Sequence, residues 1–163
     1  MKTKKLTLCA MLIAIGILAG NFIYIPIGAS KCFPVQAAVN VIASVILGPA
    51  YAVLTAFGIS LVRNIIGTGS IMAFPGSMAG AFLASILYAK TKSTAAAASG
   101  EVIGTGIIGA LIAVPISKFI LGSEVGALFY VGPFIVSSLG GAIIGYLILK
   151  STEIIRLGKK FND

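Results

Sequence analysis

Long apolar runs recur from one end of this sequence to the other, parted only by short clusters of Gly, Pro, Ser and Lys. Of its 163 residues 58% are apolar and 10% charged, with a mean hydropathy of +1.10, against roughly 25% charge in ordinary globular domains. A backbone inside lipid must satisfy its own polar groups, which a helix does within one segment. A helix that crosses a bilayer takes about 20 residues. Six of them use about 120 and leave little for loops and tails. The expectation is an all-α integral membrane protein, a single membrane domain over residues 1–163.

The same shortage of loop excludes whole classes of chemistry. An ATPase or a dinucleotide enzyme needs a soluble α/β unit, for which there is no room. His and Trp are absent and the only Asp is Asp163, which excludes an H-E-x-x-H metal site and a Ser-His-Asp triad. The chain is therefore expected not to be an enzyme, and to hold no metal and no cofactor. Cys9 and Cys32 stand about one membrane thickness apart if the first run spans, too far for a disulfide. The formal charge of +8 reads as membrane topology and not as nucleic-acid binding, because of where the cations fall.

The first apolar run covers residues 6–25, behind Lys2, Lys4 and Lys5. It resembles a signal peptide only locally, since further apolar runs follow, and it reads as a retained first helix. Pro26, Gly28, Lys31 and Pro34 mark a loop. The second span, 33–48, is short and ends at Gly48-Pro49, the punctuation of a tight helical hairpin. Spans at 50–66, 71–88, 94–121 and 129–149 follow, with Pro115 expected to kink the fifth. Six spans gather Lys2, Lys4, Lys5, Lys90, Lys92, Lys150, Arg156, Lys159 and Lys160 on one side, nine of the twelve basic residues, and leave Lys31 alone in the loops opposite. By the positive-inside rule both termini are cytoplasmic.

Small residues four apart lie on one helical face and let backbones approach. Such pairs are Ala10/Ala14, Gly16/Gly20, Gly76/Gly80, Gly100/Gly104 and Gly141/Gly145. They read as internal packing, except that the first span, with the longest small face, is also a candidate docking face for another membrane protein. The stretch from Gly104 to Gly109 matches G-x-G-x-x-G. That fingerprint works between a strand and a helix N-terminus, and here it lies within an apolar run, so it is read as a decoy.

Polar side chains in lipid are costly and mark cavities or partners. Gln36 and Asn40 are four apart, as are Glu101 and Thr105; Arg63, Asn64 and Thr68 close the third span, and Ser77 lies in the fourth. At 1.5 Å per residue, Arg63 stands about 20 Å and Glu101 about 10 Å from the cytoplasmic ends of their helices. Either they neutralise each other across that offset, or each has a separate partner. Most of this cluster falls near outer helix ends, where Tyr24, Phe33, Phe74 and Tyr130 add rings. An outward pocket for a small, flat, mostly uncharged ligand follows, with an interfacial aromatic belt as the other use of the rings.

The motifs Phe33-Pro-Val-Gln36-x-x-x-Asn40, Arg63-Asn64-x-x-Gly67-Thr-Gly69, Ala73-Phe-Pro-Gly-Ser77 and Gly100-Glu101-x-x-Gly104-Thr-Gly106 together resemble the ThiW family, the thiazole-specific substrate-capture (S) components of energy-coupling-factor (ECF) vitamin transporters. The resemblance spans nearly the whole chain. It implies a six-helix S-component bundle in a prokaryotic plasma membrane that captures hydroxyethylthiazole, a thiamine precursor, from outside. It further implies a membrane coupling subunit, docked at Ala10 and Ala14, and two cytosolic ATPases that use the ATP. The implied substrate-binding residues are Gln36, Asn40, Arg63, Asn64, Thr68, Phe74, Glu101 and Thr105. The competing function is a self-sufficient secondary carrier or channel. A carrier is expected to show inverted repeats and broken midplane helices, and no convincing internal repeat is present. A purely structural subunit, the third possibility, has no use for the Gln36, Asn40 and Asn64 cluster.

Overall fold

Gly48 adopts φ +83°, which favours glycine, and Pro49 follows it in the first turn of the next helix, so the chain reverses where the sequence punctuates it. The computed structural model describes residues 2–27, 30–122 and 127–151. Arg156, Lys159, Lys160 and Glu124 lie outside the described residues. The elements in order are α1 (Lys2–Phe22), a hairpin of β1 (Ile25–Ile27) and β2 (Ser30–Cys32), α2 (Pro34–Ile46), α3 (Pro49–Ile65), α4 (Ala73–Thr91), α5 (Thr94–Ile103), a π-helical segment (Gly104–Gly109), α6 (Ala110–Leu121) and α7 (Ala127–Ser151).

Three pairs of contacts fix the directions of the helices. Cys9 meets Thr55 and Gly20 meets Arg63, so α1 and α3 are parallel. Gly100 meets Ala84 and Gly109 meets Gly76, so α5 and the π segment run antiparallel to α4. Gly141 meets Pro34 and Gly145 meets Val41, so α7 is parallel to α2. Lys4, Lys90, Lys92 and Lys150 therefore gather at one end of the bundle. The β-hairpin, the start of α2 and the α3–α4 loop lie at the other.

Among the described residues three helical stretches are long and apolar enough to cross a membrane, Thr3–Phe22, Thr94–Ile120 and Phe129–Ser151. Pro34–Ile46 and Pro49–Ile65 are apolar but shorter; at 1.5 Å per residue α2 is about 20 Å long, less than the roughly 30 Å hydrocarbon core.

The structure corrects the sequence reading in two places. The first helix starts earlier than residue 6 and stops at Phe22, because Pro26 supplies no N–H and keeps Ile25 extended. The residues that follow pair as strands, with Ile25 opposite Cys32 and Pro26 opposite Lys31, where a loop was expected. Pro115 sits inside α6, and a π segment, not expected from the sequence, precedes that helix. Gly104 and Gly109 explain that position. Residues five apart fall about 140° apart on an α-helix, whereas i→i+5 winding turns both toward one side. Both glycines press on α4: a methyl on Gly104 would lie 2.6 Å from the Ala79 carbonyl oxygen, and one on Gly109 would overlap Gly76. The glycine motif is thus helical and spent on helix packing.

The basic end is closed by apolar contacts. One buried cluster joins Cys9, Ala43, Leu47, Ala52, Ala56 and Ala81, and a second joins Val41, Val45, Ala84, Tyr88, Ala97 and Leu149.

Candidate functional site

Gln36, Asn40 and Ser44 recur every four residues along α2 and are all buried, so one face of this helix is polar along its length. That face meets polar groups from three other helices. Arg63 on α3 donates from Nη1 to Gln36 Oε1 (2.9 Å) and from Nη2 to the Thr68 carbonyl (3.0 Å). Its guanidinium carbon lies 3.6 Å from the centre of the Phe33 ring, a cation–π contact in a desolvated setting. Gln36 Nε2 donates to Ser60 Oγ (2.9 Å), Ser60 and Ser77 hydroxyls lie 3.0 Å apart, and Ser77 donates to the Ala73 carbonyl (2.8 Å). Because Ser77 spends its proton on Ala73, the chain of donation runs from Arg63 through Gln36 and Ser60 to Ser77.

A second polar group lies deeper. Asn40 Nδ2 donates to the Ser77 carbonyl (3.2 Å) and to Glu101 Oε1 (3.1 Å), and the Thr105 hydroxyl approaches Glu101 Oε1 (2.8 Å) and the Gly76 carbonyl (3.0 Å). Glu101 is fully buried. Gly80 makes room for it: a methyl there would lie 2.5 Å from Glu101 Oε2 and would overlap the Thr105 hydroxyl. Arg63 and Glu101 thus do not neutralise each other. Each has its own partners, the second of the two arrangements open in the sequence.

Two adjoining chambers follow. The outer, of about 380 Å³, is bounded by Arg63, Ser60 and the loop through Thr68 and Ser70. The inner, of about 70 Å³, is bounded by Asn40, Ser77, Glu101 and Thr105. Phe33, Gln36, Ala73, Pro133 and Phe134 line both. The outer chamber, bounded by the α3–α4 loop, lies at the end of the bundle away from Lys4, Lys90, Lys92 and Lys150.

Of the substrate-binding residues expected from sequence, Gln36, Asn40, Arg63, Thr68, Glu101 and Thr105 line the two chambers. Asn64 and Phe74 do not. The Asn64 amide donates to the Ser60 and Ser70 carbonyls (2.8 and 3.1 Å) and so fixes the α3–α4 loop; the Phe74 ring packs on Phe57, with centroids 5.6 Å apart. The sequence reasoning passed over Phe134, Pro133, Ser60 and Ser137, whose hydroxyl accepts from the Phe33 backbone N–H (3.0 Å). The available signal was the spacing of Tyr130 and Phe134, four apart on α7. On α1, Gly16 and Gly20 are buried against α3, while Ala10 and Ala14 are exposed.

What the arrangement can do is bind. It offers two ring faces, amide and hydroxyl groups in a dry setting, and one guanidinium held by neutral partners. Neither the comparison with curated proteins nor that with solved structures gives a match. The family model for thiamine-precursor transporter proteins (ThiW) matches residues 6–154. The chain belongs to the ThiW family of thiamine-precursor transporters, which are not enzymes.

Proposed function

We propose that this chain is the substrate-capture subunit of an ATP-driven ECF importer and takes up hydroxyethylthiazole at the outer face of a prokaryotic plasma membrane. One observation carries the reading: the chambers of a thiamine-precursor transporter are walled by Phe33 and Phe134 and by mostly uncharged hydrogen-bonding groups. A neutral aromatic ring with a short alcohol suits such walls. Thiamine is cationic and larger, and the carboxylate in the wall, Glu101, already accepts from Asn40 and Thr105. Calorimetric titration of the purified chain is the test. The thiazole is expected to bind more tightly than thiamine, and the reverse order overturns the substrate.

The proposal includes a single six-span membrane domain over residues 1–163 with both termini cytoplasmic, no cofactor in this chain, and ATP hydrolysed by two partner ATPases through a coupling subunit that docks at Ala10 and Ala14. The gathering of Lys4, Lys90, Lys92 and Lys150 at the end opposite the chambers supports the orientation, and the exposure of Ala10 and Ala14 supports the docking face. Thiol labelling of intact cells checks the topology, with Lys31→Cys, Lys92→Cys or Asn162→Cys in a Cys9→Ala, Cys32→Ala background. Position 31 labels from outside; external labelling of the other two overturns the six-span arrangement. Uptake by vesicles containing this chain alone would favour a secondary carrier.

A further inference from the structure

Resting on the thiazole reading, we infer that the ligand lies in one direction, its hydrogen-bond-donating tail in the inner chamber beside Asn40 and Glu101 and its ring in the outer chamber near Phe33, Phe134 and Arg63. Size sets the first limit. The inner chamber measures about 70 Å³ and the outer about 380 Å³. The bulkier ring therefore falls to the outer chamber and the slimmer tail to the inner.

Polarity sets the second. Asn40 spends both amide hydrogens, on the Ser77 carbonyl and on Glu101 Oε1. Turning the amide over would set its oxygen against two acceptors, so Oδ1 is the remaining atom, and it has no partner. Glu101 receives both of its hydrogen bonds on Oε1, and its Oε2 has none. Thr105 has committed its one proton. This end of the pocket holds an unmatched acceptor in Asn40 Oδ1.

The outer end is the reverse. Arg63 is a pure donor, and its Nε has no acceptor. A ligand that matches both ends carries a donor on its tail and an acceptor in its ring. Hydroxyethylthiazole does so in one orientation: the alcohol donates inward, and the ring nitrogen faces the donors outside. In the reversed pose the hydroxyl oxygen can still accept from Arg63, but the ring nitrogen, a pure acceptor, faces the inner acceptor and leaves it unmatched, which is costly.

The experiment titrates the full chain, solubilised in detergent, with hydroxyethylthiazole, its methyl ether and the ethyl analogue that lacks the hydroxyl. Both analogues are expected to bind about 5- to 150-fold more weakly. In Glu101→Leu or Asn40→Leu the preference for the alcohol over the ethyl analogue collapses toward one. In Arg63→Lys both ligands weaken together and the preference stays. Equal affinity of the wild-type chain for alcohol and ethyl analogue overturns the orientation while the thiazole reading stands. A preference that survives Glu101→Leu and Asn40→Leu but is lost in Arg63→Lys places the hydroxyl outward and also overturns it. Binding of none of the three removes the thiazole reading and the orientation together.

Discussion

At the basic end the helices meet through Ala43, Ala52, Ala56 and Ala81, whereas at the opposite end they meet through Gln36, Ser60, Arg63 and Ser77. Methyl groups let these helices close directly on one another. Long polar side chains hold one another at hydrogen-bond distance and leave two chambers between them. The difference teaches what each end is for. Hydrogen bonds between helices in membranes average only about 0.6 kcal/mol, so the polar end contributes little stability for the residues it uses. Asn40 Oδ1, Glu101 Oε2 and Arg63 Nε are buried there without partners, the expected condition of groups whose partner is a ligand.

The largest effect separates both ends from the outer surface of α1. Gly16 and Gly20 face α3, while Ala10 and Ala14 face outward. Ala10→Leu with Ala14→Leu puts bulk on the outer face only and prevents close approach of another helix. Capture of the coupling subunit in pull-down is expected to be lost, and ligand affinity of the isolated chain to be unchanged. Wild-type capture by the double variant would assign that face to lipid.

Next comes the polar end itself. Asn40→Ala and Gln36→Ala each remove a buried hydrogen-bonding partner, worth about 1–3 kcal/mol, or roughly 5- to 150-fold in calorimetric affinity. Each also leaves buried groups on other helices without a partner, so a modest fall in melting temperature is expected beside the loss of affinity. A variant that melts early yet binds normally would show that the polar ladder holds the bundle together instead of holding ligand.

The closed end gives the converse. A methyl on Gly100 would lie 2.7 Å from Ala84 Cα, backbone that cannot give way. Gly100→Ala is expected to cost about 1–3 kcal/mol of stability, as overpacking does, with ligand affinity preserved. Lost affinity with unchanged melting would break the division between the two ends.

How far this division was legible in the sequence depends on the residue. Gln36 with Asn40 and Glu101 with Thr105 stood out because polar pairs four apart in an apolar run are expensive, and both reach the chambers. The partners of Arg63 and Glu101 were not legible, since depth along two helices does not fix which neutral groups intervene. The small-residue spacings announced close packing, yet periodicity does not distinguish α from π winding, so the segment at Gly104–Gly109 was invisible. The β-hairpin escaped because strands of three residues around Pro26 carry the composition of a loop. Rings were the least legible. Membrane-interface and pocket aromatics have the same chemistry, and only packing separates Phe134, in the wall, from Phe74, outside it.

Phe74 supplies the smallest effect and the sharpest check on where the pocket ends. Its ring is half-buried on α4 and tilted 54° against Phe57 of α3, whereas Phe134 lines both chambers. Phe74→Leu keeps most of the apolar contact with Phe57 and touches no chamber wall. Substitutions away from a site usually stay within about 0.5 kcal/mol, so its affinity for the thiazole should lie within about twofold of wild type. Phe134→Leu removes a ring face, worth about 0.5–1.5 kcal/mol beyond area alone, and should weaken binding by about 2- to 13-fold. If Phe74→Leu weakens binding as much as Phe134→Leu, the ligand reaches the α3–α4 face, and the wall drawn through Phe33 and Phe134 is in the wrong place.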